Sequence, residues 1–238
     1  MWEEFNIEEI KGKYLYKFLS KAHLEKFLLS GDIWLSRADK FGDKLECVAI
    51  KYLKNSTLNL QEIEINKQKH FISCFHEATF ESLAFWDTYA KNQEERRNYA
   101  IKINREYFCK IIENAFIPIE HNKISKMIHG KVVYKNLLSS RKEKLEQKKI
   151  KHVSMRKEYA FHYEREYRFV IKTKEIINSE GINIHLGLPT NLNFQILINP
   201  LLDNDDYKNA NQFLEDINFK DRFELTKITK FIKPHLFQ

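Results

Sequence analysis

The run Phe161-His162-Tyr163-Glu164-Arg165-Glu166-Tyr167-Arg168-Phe169-Val170-Ile171 carries the densest set of groups able to do chemistry. With the period of two of a strand, His162, Glu164, Glu166 and Arg168 share one face. Phe161, Tyr163, Tyr167 and Phe169 share the other, and Arg165 interrupts it. Two carboxylates that close repel, so one is driven to keep a proton while Arg168 holds the other ionised, which gives a base or electrostatic stabiliser beside an acid. On a solvated sheet face the same residues form only cross-strand ion pairs, each contributing about 0.2–1 kcal/mol. The chemistry therefore needs Glu164 and Glu166 inside a cleft.

Two further groups are candidates. In Phe41-Gly42-Asp43-Lys44-Leu45-Glu46 the acids Asp43 and Glu46 either cap a helical turn or add to a carboxylate site. In Phe85-Trp86-Asp87-Thr88-Tyr89 the rings of Trp86 and Tyr89 lie three residues apart on a helix face, where they pack into a core or stack on a planar ligand. Residues 139–157 hold Arg141, Lys142, Lys144, Lys148, Lys149, Lys151, Arg156 and Lys157 against Glu143 and Glu146. This basic insert suits phosphate contact, with Lys148, Lys149 and Lys151 at its centre, or a solvated helix face. His76, His121 and His152 stand alone and receive no role. No G-x-G-x-x-G, P-loop, G-x-S-x-G or H-E-x-x-H occurs, which removes support for Rossmann, P-loop, α/β-hydrolase and zincin chemistry.

The elements that must position these groups are legible from periodicity. A strand over 13–19 leads through Ser20, an N-cap, into a helix with Leu24, Phe27 and Leu28 inward and Gly31 at its end. Strands follow at 32–36 and 70–75, the latter central, then a helix over 82–90 and a strand over 98–103. Asn104 caps the next helix. Strands are expected at 161–171, 182–186 and 194–198, then a helix around Tyr207, Ala210 and Leu214, and a closing strand over 223–232. The mixture predicts an α+β fold: one domain over 1–238, a mixed or antiparallel central sheet flanked by helices.

Composition agrees with a folded chain. The 238 residues are 43% hydrophobic, with 18 Phe and 11 Tyr, too apolar for disorder. No run approaches the roughly 18 apolar residues of a membrane span. The acids of Met1-Trp2-Glu3-Glu4 are unlike a secretory leader, so a cytoplasmic, non-membrane protein is expected. Cys47, Cys74 and Cys109 are too scattered for a zinc site, and no metal is assigned. The formal charge of +7 favours anionic partners.

Several short motifs in one order carry a resemblance. Tyr14-Leu15-Tyr16-Lys17-Phe18-Leu19 through Trp34-Leu35-Ser36, Phe41…Asp43…Glu46, Ile72-Ser73-Cys74-Phe75, Trp86-Asp87-Thr88-Tyr89, Val132-Val133-Tyr134 and Lys157…Tyr163-Glu164-Arg165-Glu166-Tyr167-Arg168 resemble the bacterial family called domain of unknown function 2971, over about residues 14–200. The chain departs from it at Gly42-Asp43-Lys44, where Asn-Asp-Pro is usual, and at His76, where a small hydroxyl residue is usual. The layout is also similar to ADP-ribosyltransferases of the nucleic-acid-modifying toxin type. That resemblance implies an ADP-ribosyltransferase-like fold and transfer from NAD, with Glu166, or failing that Glu164, as the catalytic carboxylate. It assigns Tyr16, Lys17 and Ser73 to NAD, with Arg37 or Arg168 on the pyrophosphate and Trp86 or Tyr89 on the nicotinamide. The expected function is a toxin or phage-defence effector modifying nucleic acid, with an antitoxin or regulatory protein as partner. The alternatives are a Mg2+-dependent nuclease using Asp43, Glu164 and Glu166, and a non-catalytic nucleic-acid or protein-binding module.

Overall fold

The computed structural model describes residues 1–48, 60–91, 96–136 and 152–233. Its strands are β1 (Glu3–Phe5), β2 (Tyr14–Leu19), β3 (Asp32–Arg37), β4 (His70–Ala78), β5 (Tyr99–Asn104), β6 (Ile124–Lys131), β7 (Val133–Lys135), β8 (Arg156–Glu158), β9 (Glu166–Thr173), β10 (Gly181–His185) and β11 (Gln195–Ile198). Its helices are α1 (Lys21–Ser30), α2 (Leu60–Gln68), α3 (Leu83–Lys91), α4 (Arg105–Glu113), α5 (Asn204–Asp216) and α6 (Lys227–Ile232). The architecture is mixed α/β, as the periodicity implies, and it divides into two compact units. No helix among the described residues is long and apolar enough to cross a membrane.

The first unit comprises Met1–Ile10, Asp32–His76 and Glu113–Leu186. Its strands run in the order β1-β6-β9-β4-β3-β10, parallel between β1 and β6 and antiparallel elsewhere. Pairing of β4 with β9 fixes two faces: His76, Cys74 and Ile72 sit opposite Glu166, Arg168 and Val170 on one, and Phe75, Ser73 and Phe71 opposite Tyr167, Phe169 and Ile171 on the other. Ala38, Cys47, Ile128 and Met155 pack with Ile72 and Val170 behind the first face. Aromatic rings fill the second, where Phe169 meets Trp2 at 5.9 Å and Phe75 at 5.6 Å, both edge-to-face. A separate parallel pair, β7 with β8, carries Tyr134 and Lys157.

The strand expected over 161–171 begins only at Glu166. Tyr159–Glu164 form a 3-10 turn, and Arg165 takes a left-handed φ of 44°. A period of two cannot pass through a left-handed residue, whose cost of about 1–2 kcal/mol must be offset by what the turn positions. His162 and Glu164 therefore leave the strand face on which the alternation put them.

The second unit comprises Lys11–Gly31, Glu77–Ile112 and Gly187–Gln238. Here β2, β5 and β11 form an antiparallel run. Ser20 accepts a hydrogen bond from the His23 N–H at the start of α1, contributing about 1 kcal/mol, and Asn104 accepts one from the Tyr107 N–H at the start of α4. Tyr16, Phe18, Phe85, Trp86, Ala100 and Leu197 form the core, with Trp86 edge-on to Phe18 at 4.6 Å. The closing strand expected over 223–232 is absent. Phe223 makes a single bridge to Ile196, and Thr226 caps α6 by accepting the Thr229 N–H, so a local hydroxyl cap wins over apolar alternation.

Candidate functional site

The densest chemistry of the first unit is a buried chain of charges centred on Arg168. Its guanidinium grips Glu46 with both terminal nitrogens, at 2.6 and 2.9 Å, and its Nε donates to Glu166 Oε2 at 2.5 Å. A further hydrogen bond goes to the Ser154 carbonyl at 2.7 Å. Lys157 Nζ donates to Glu166 Oε1 at 2.7 Å and also to Glu164 Oε2. Main-chain contacts fix the acids: Tyr134 Oη accepts the Glu166 N–H at 2.7 Å, and His76 Nδ1 donates to the Glu164 carbonyl at 2.8 Å. Glu164 and Glu166 retain only 4% and 6% of their exposure, and Arg168 none.

The local sequence explains the convergence. Asp43 Oδ1 accepts the Leu45 N–H at 2.8 Å, turning the chain so that Glu46 points inward while Asp43 stays at the turn. Arg165, in its left-handed conformation, swings Glu164 back toward Lys157 on β8. The strand itself supplies Glu166 and Arg168, two residues apart on one face.

The two glutamates differ in proton affinity. Burial raises Glu164, the hydrogen bond to and repulsion from Glu166 add to it, and Lys157 opposes them; its carboxyl is pushed up to about 7. Burial would raise Glu166 too, but Arg168, then the hydrogen bond from Glu164 and the charge of Lys157, hold it well below the usual carboxylate range. Near neutral pH the pair thus shares one proton, carried by Glu164. Lys157 is held charged, its burial outweighed by Glu166 and Glu164. Burial, then the charge of Glu46, pushes the Cys47 thiol well above its ordinary value, so it stays a protonated core residue.

The expected site residues separate accordingly. Glu164, Glu166 and Arg168 meet in one buried network. Arg168 is sealed in and engaged by Glu46, Glu166 and Ser154, so it clamps carboxylates and cannot grip a pyrophosphate. Ser73 lies on the opposite sheet face, paired with Phe169, because its parity differs from that of His76 and Cys74. Arg37 is held by Asp39 at 2.6 and 2.9 Å. His162 stacks on Tyr159 at 4.7 Å in the exposed turn. Asp43 is a turn cap, and among the described residues no group of three or more His, Cys, Asp or Glu is placed to hold a metal ion, so the nuclease triad is not assembled. Tyr16 and Trp86 are core residues of the second unit, 2% and 0% exposed, and Lys17 is half-buried there. The Tyr89 side chain and Lys148, Lys149 and Lys151 lie outside the described residues.

Four participants carried weak signals. Lys157 stood at the end of the basic insert, where Arg156 and Lys157 begin a short strand, and both are buried. Glu46 read as a helix-start acid, Tyr134 only as part of the motif Val132-Val133-Tyr134, and His76 as a lone histidine. Only register and the β7–β8 pair bring them together. Glu164 and Glu166 are not among the residues lining a cavity of about 830 Å3 in this unit, whose lining includes Asp32, Trp34 and Phe116.

No family model matches the chain, and no solved structure matches it. Among curated proteins it is similar to calretinin of Homo sapiens, Rattus norvegicus and Mus musculus, 26% identical to each over 133 residues, which is 52% of this chain. The matched stretch is 48% of each calretinin, so the chain spans about half the length of the curated relatives it matches, and at that identity and coverage the similarity assigns no family.

Proposed function

We propose that this protein is an ADP-ribosyltransferase-like enzyme that breaks the bond between nicotinamide and ribose in NAD, acting as a toxin or phage-defence effector on a nucleic-acid acceptor. The observation that carries this reading is the buried pair Glu164 and Glu166 on one shared lysine, with Arg168 bonded to Glu166. A burial-raised acid beside a clamped carboxylate is the arrangement used where one group moves a proton and the other holds negative charge. Cleavage develops positive charge on the ribose, which a fixed anion stabilises. Glu166 has both oxygens engaged, by Lys157 and Arg168, so it supplies the fixed negative field. Glu164 loses its proton near 7, and in that ionised form it takes the proton of the incoming nucleophile. The resemblance in layout to ADP-ribosyltransferases, with Glu166 on a late strand, also supports the reading.

A second reading rests on a specific observation. The complete pairing of Glu46, Arg168 and Glu166 is also what a purely structural network needs, and the protein would then be a binding module without chemistry. Nicotinamide release from NAD by the full chain, with and without single-stranded DNA or RNA, separates the two. Glu164→Gln is expected to lower turnover at least a hundredfold while leaving the fold intact. A chain that releases no nicotinamide under either condition, or a fully active Glu164→Gln variant, sinks the enzymatic reading.

A further inference from the structure

The cavity of about 830 Å3 lies along the outer edge of the β3–β10 ribbon. Register fixes which atoms face it. The Arg37 N–H donates to the Glu180 carbonyl at 2.8 Å, so 180, 182 and 184 turn their main-chain groups toward β3 while 181, 183 and 185 turn theirs away. The outer rungs are already taken: Ser179 Oγ bonds the main chain of Gly181, and His185 exchanges two 3.0 Å hydrogen bonds with Phe116. Between them, the outward N–H and C=O of Asn183 make no hydrogen bond among the described residues. The lane that Phe116 opens would bring Pro118 opposite Asn183, and a proline has no N–H for that rung. The pairing stops there, and Phe116, Pro118 and Asn183 line the resulting gap.

The walls are aromatic and acidic. Trp34 is 40% exposed and Phe116 67%, large apolar surface for a cavity mouth. Asp32, Glu120 and Glu175 line the gap with Lys123, which sits 3.1 Å from Glu120 and 3.9 Å from Glu175, and with His185, whose Nδ1 lies 3.0 Å from Asp32. In a chain of formal charge +7 this concavity is locally anionic.

We propose that this gap docks an extended, basic segment of a partner protein. Its main chain completes the open rung at Asn183, and its Lys or Arg side chains meet Asp32, Glu120 and Glu175 across the faces of Trp34 and Phe116. Strand addition supplies the main-chain bonds and alternate side chains supply specificity. A cation over an exposed indole and beside carboxylates is favoured twice over. The docking surface is independent of the Arg168 network and of the enzymatic reading.

Fluorescence anisotropy of dye-labelled acetyl-Lys-Val-Lys-Val-Lys-amide against the full chain tests this. Saturable binding is expected, and the Glu-Val-Glu-Val-Glu counterpart should not bind. Asn183→Pro removes the outward N–H without deleting a bond to β3 and should weaken binding at least tenfold. The joint change Asp32→Asn, Glu120→Gln and Glu175→Gln should do the same. The basic peptide N-methylated at its central residue repeats the rung test on the unaltered chain, whatever Asn183→Pro does to folding. Absent binding, equal binding of the acidic peptide, or indifference to N-methylation overturns the proposal. So does displacement of the peptide by an equal concentration of free lysine amide, which would make the gap a small-cation site. A dimer in sedimentation that Asn183→Pro dissociates would assign the gap to a second copy instead.

Discussion

The Arg168 network and the groove beside β10 are built from similar groups in opposite states of completion. In the first, three buried carboxylates meet one guanidinium and one ammonium with almost every polar atom engaged. In the second, carboxylates and aromatic rings stand half-exposed around an unfinished sheet edge. Taking charges out of water costs several kcal/mol per ion, and complete pairing only offsets that. The buried network is thus expensive to interrupt, whereas the groove has little to lose in the isolated chain.

The largest contrast is in stability. Arg168→Ala leaves Glu46 and Glu166 buried without their common partner, and urea unfolding should report a loss of about 3–5 kcal/mol. A loss below about 1 kcal/mol would mean that the acids relax to solvent and the network is not a unit.

A pH series sharpens the same comparison from inside the first unit. Glu164 keeps its proton in the folded state up to about 7, while unfolded chains release it near the usual carboxylate value. Folded chains therefore bind more protons between about 4.5 and 7, and stability falls as pH rises through that window, by at most about 1.4 kcal/mol per pH unit. His70 acts in the other direction. Burial, opposed only by its hydrogen bond to the Asn66 carbonyl, depresses it to about 4, so between 4 and its ordinary 6.5 the unfolded chain binds more protons and stability climbs with pH. The two slopes oppose each other across pH 5–6. Glu164→Gln should expose the rising limb of His70, and thermal melts at half-unit intervals read it. An unchanged pH profile in that variant would remove the raised proton affinity on which the chemistry depends.

What the sequence made legible follows the range of the interactions. Ser20, Gly31 and Asn104 act on neighbours within four residues, and their caps were readable. The polar row at 161–171 was located but misread, because a left-handed Arg165 has no glycine to announce it. Glu46 lies 122 residues from Arg168, and no periodicity links them. Ser73 was misplaced by a single residue of parity, which only the pairing of β4 with β9 determines. The open rung at Asn183 was illegible for a related reason. It depends on Pro118 falling opposite it, a coincidence of two distant segments.

The smallest expected effects belong to the groove, and they separate its surface from its frame. A Cβ at Gly181 would meet the Trp34 ring at 2.1 Å and the Leu35 carbonyl oxygen at 2.5 Å, so the glycine is what lets the indole lie against β10. The ring can swing away, but the carbonyl belongs to a paired strand. Gly181→Ala should therefore cost about 1–3 kcal/mol, as overpacking does. Trp34→Ala deletes the same ring from a half-exposed position and should change stability by no more than about 0.5 kcal/mol. The three tryptophans make this optically clean, since Trp2 and Trp86 are buried at 6% and 0% exposure. Acrylamide should quench mainly Trp34, and the quenchable fraction should vanish in Trp34→Ala and rise in Gly181→Ala. If both variants melt alike, Trp34 is a packed part of the sheet, and the aromatic wall is frame instead of docking surface.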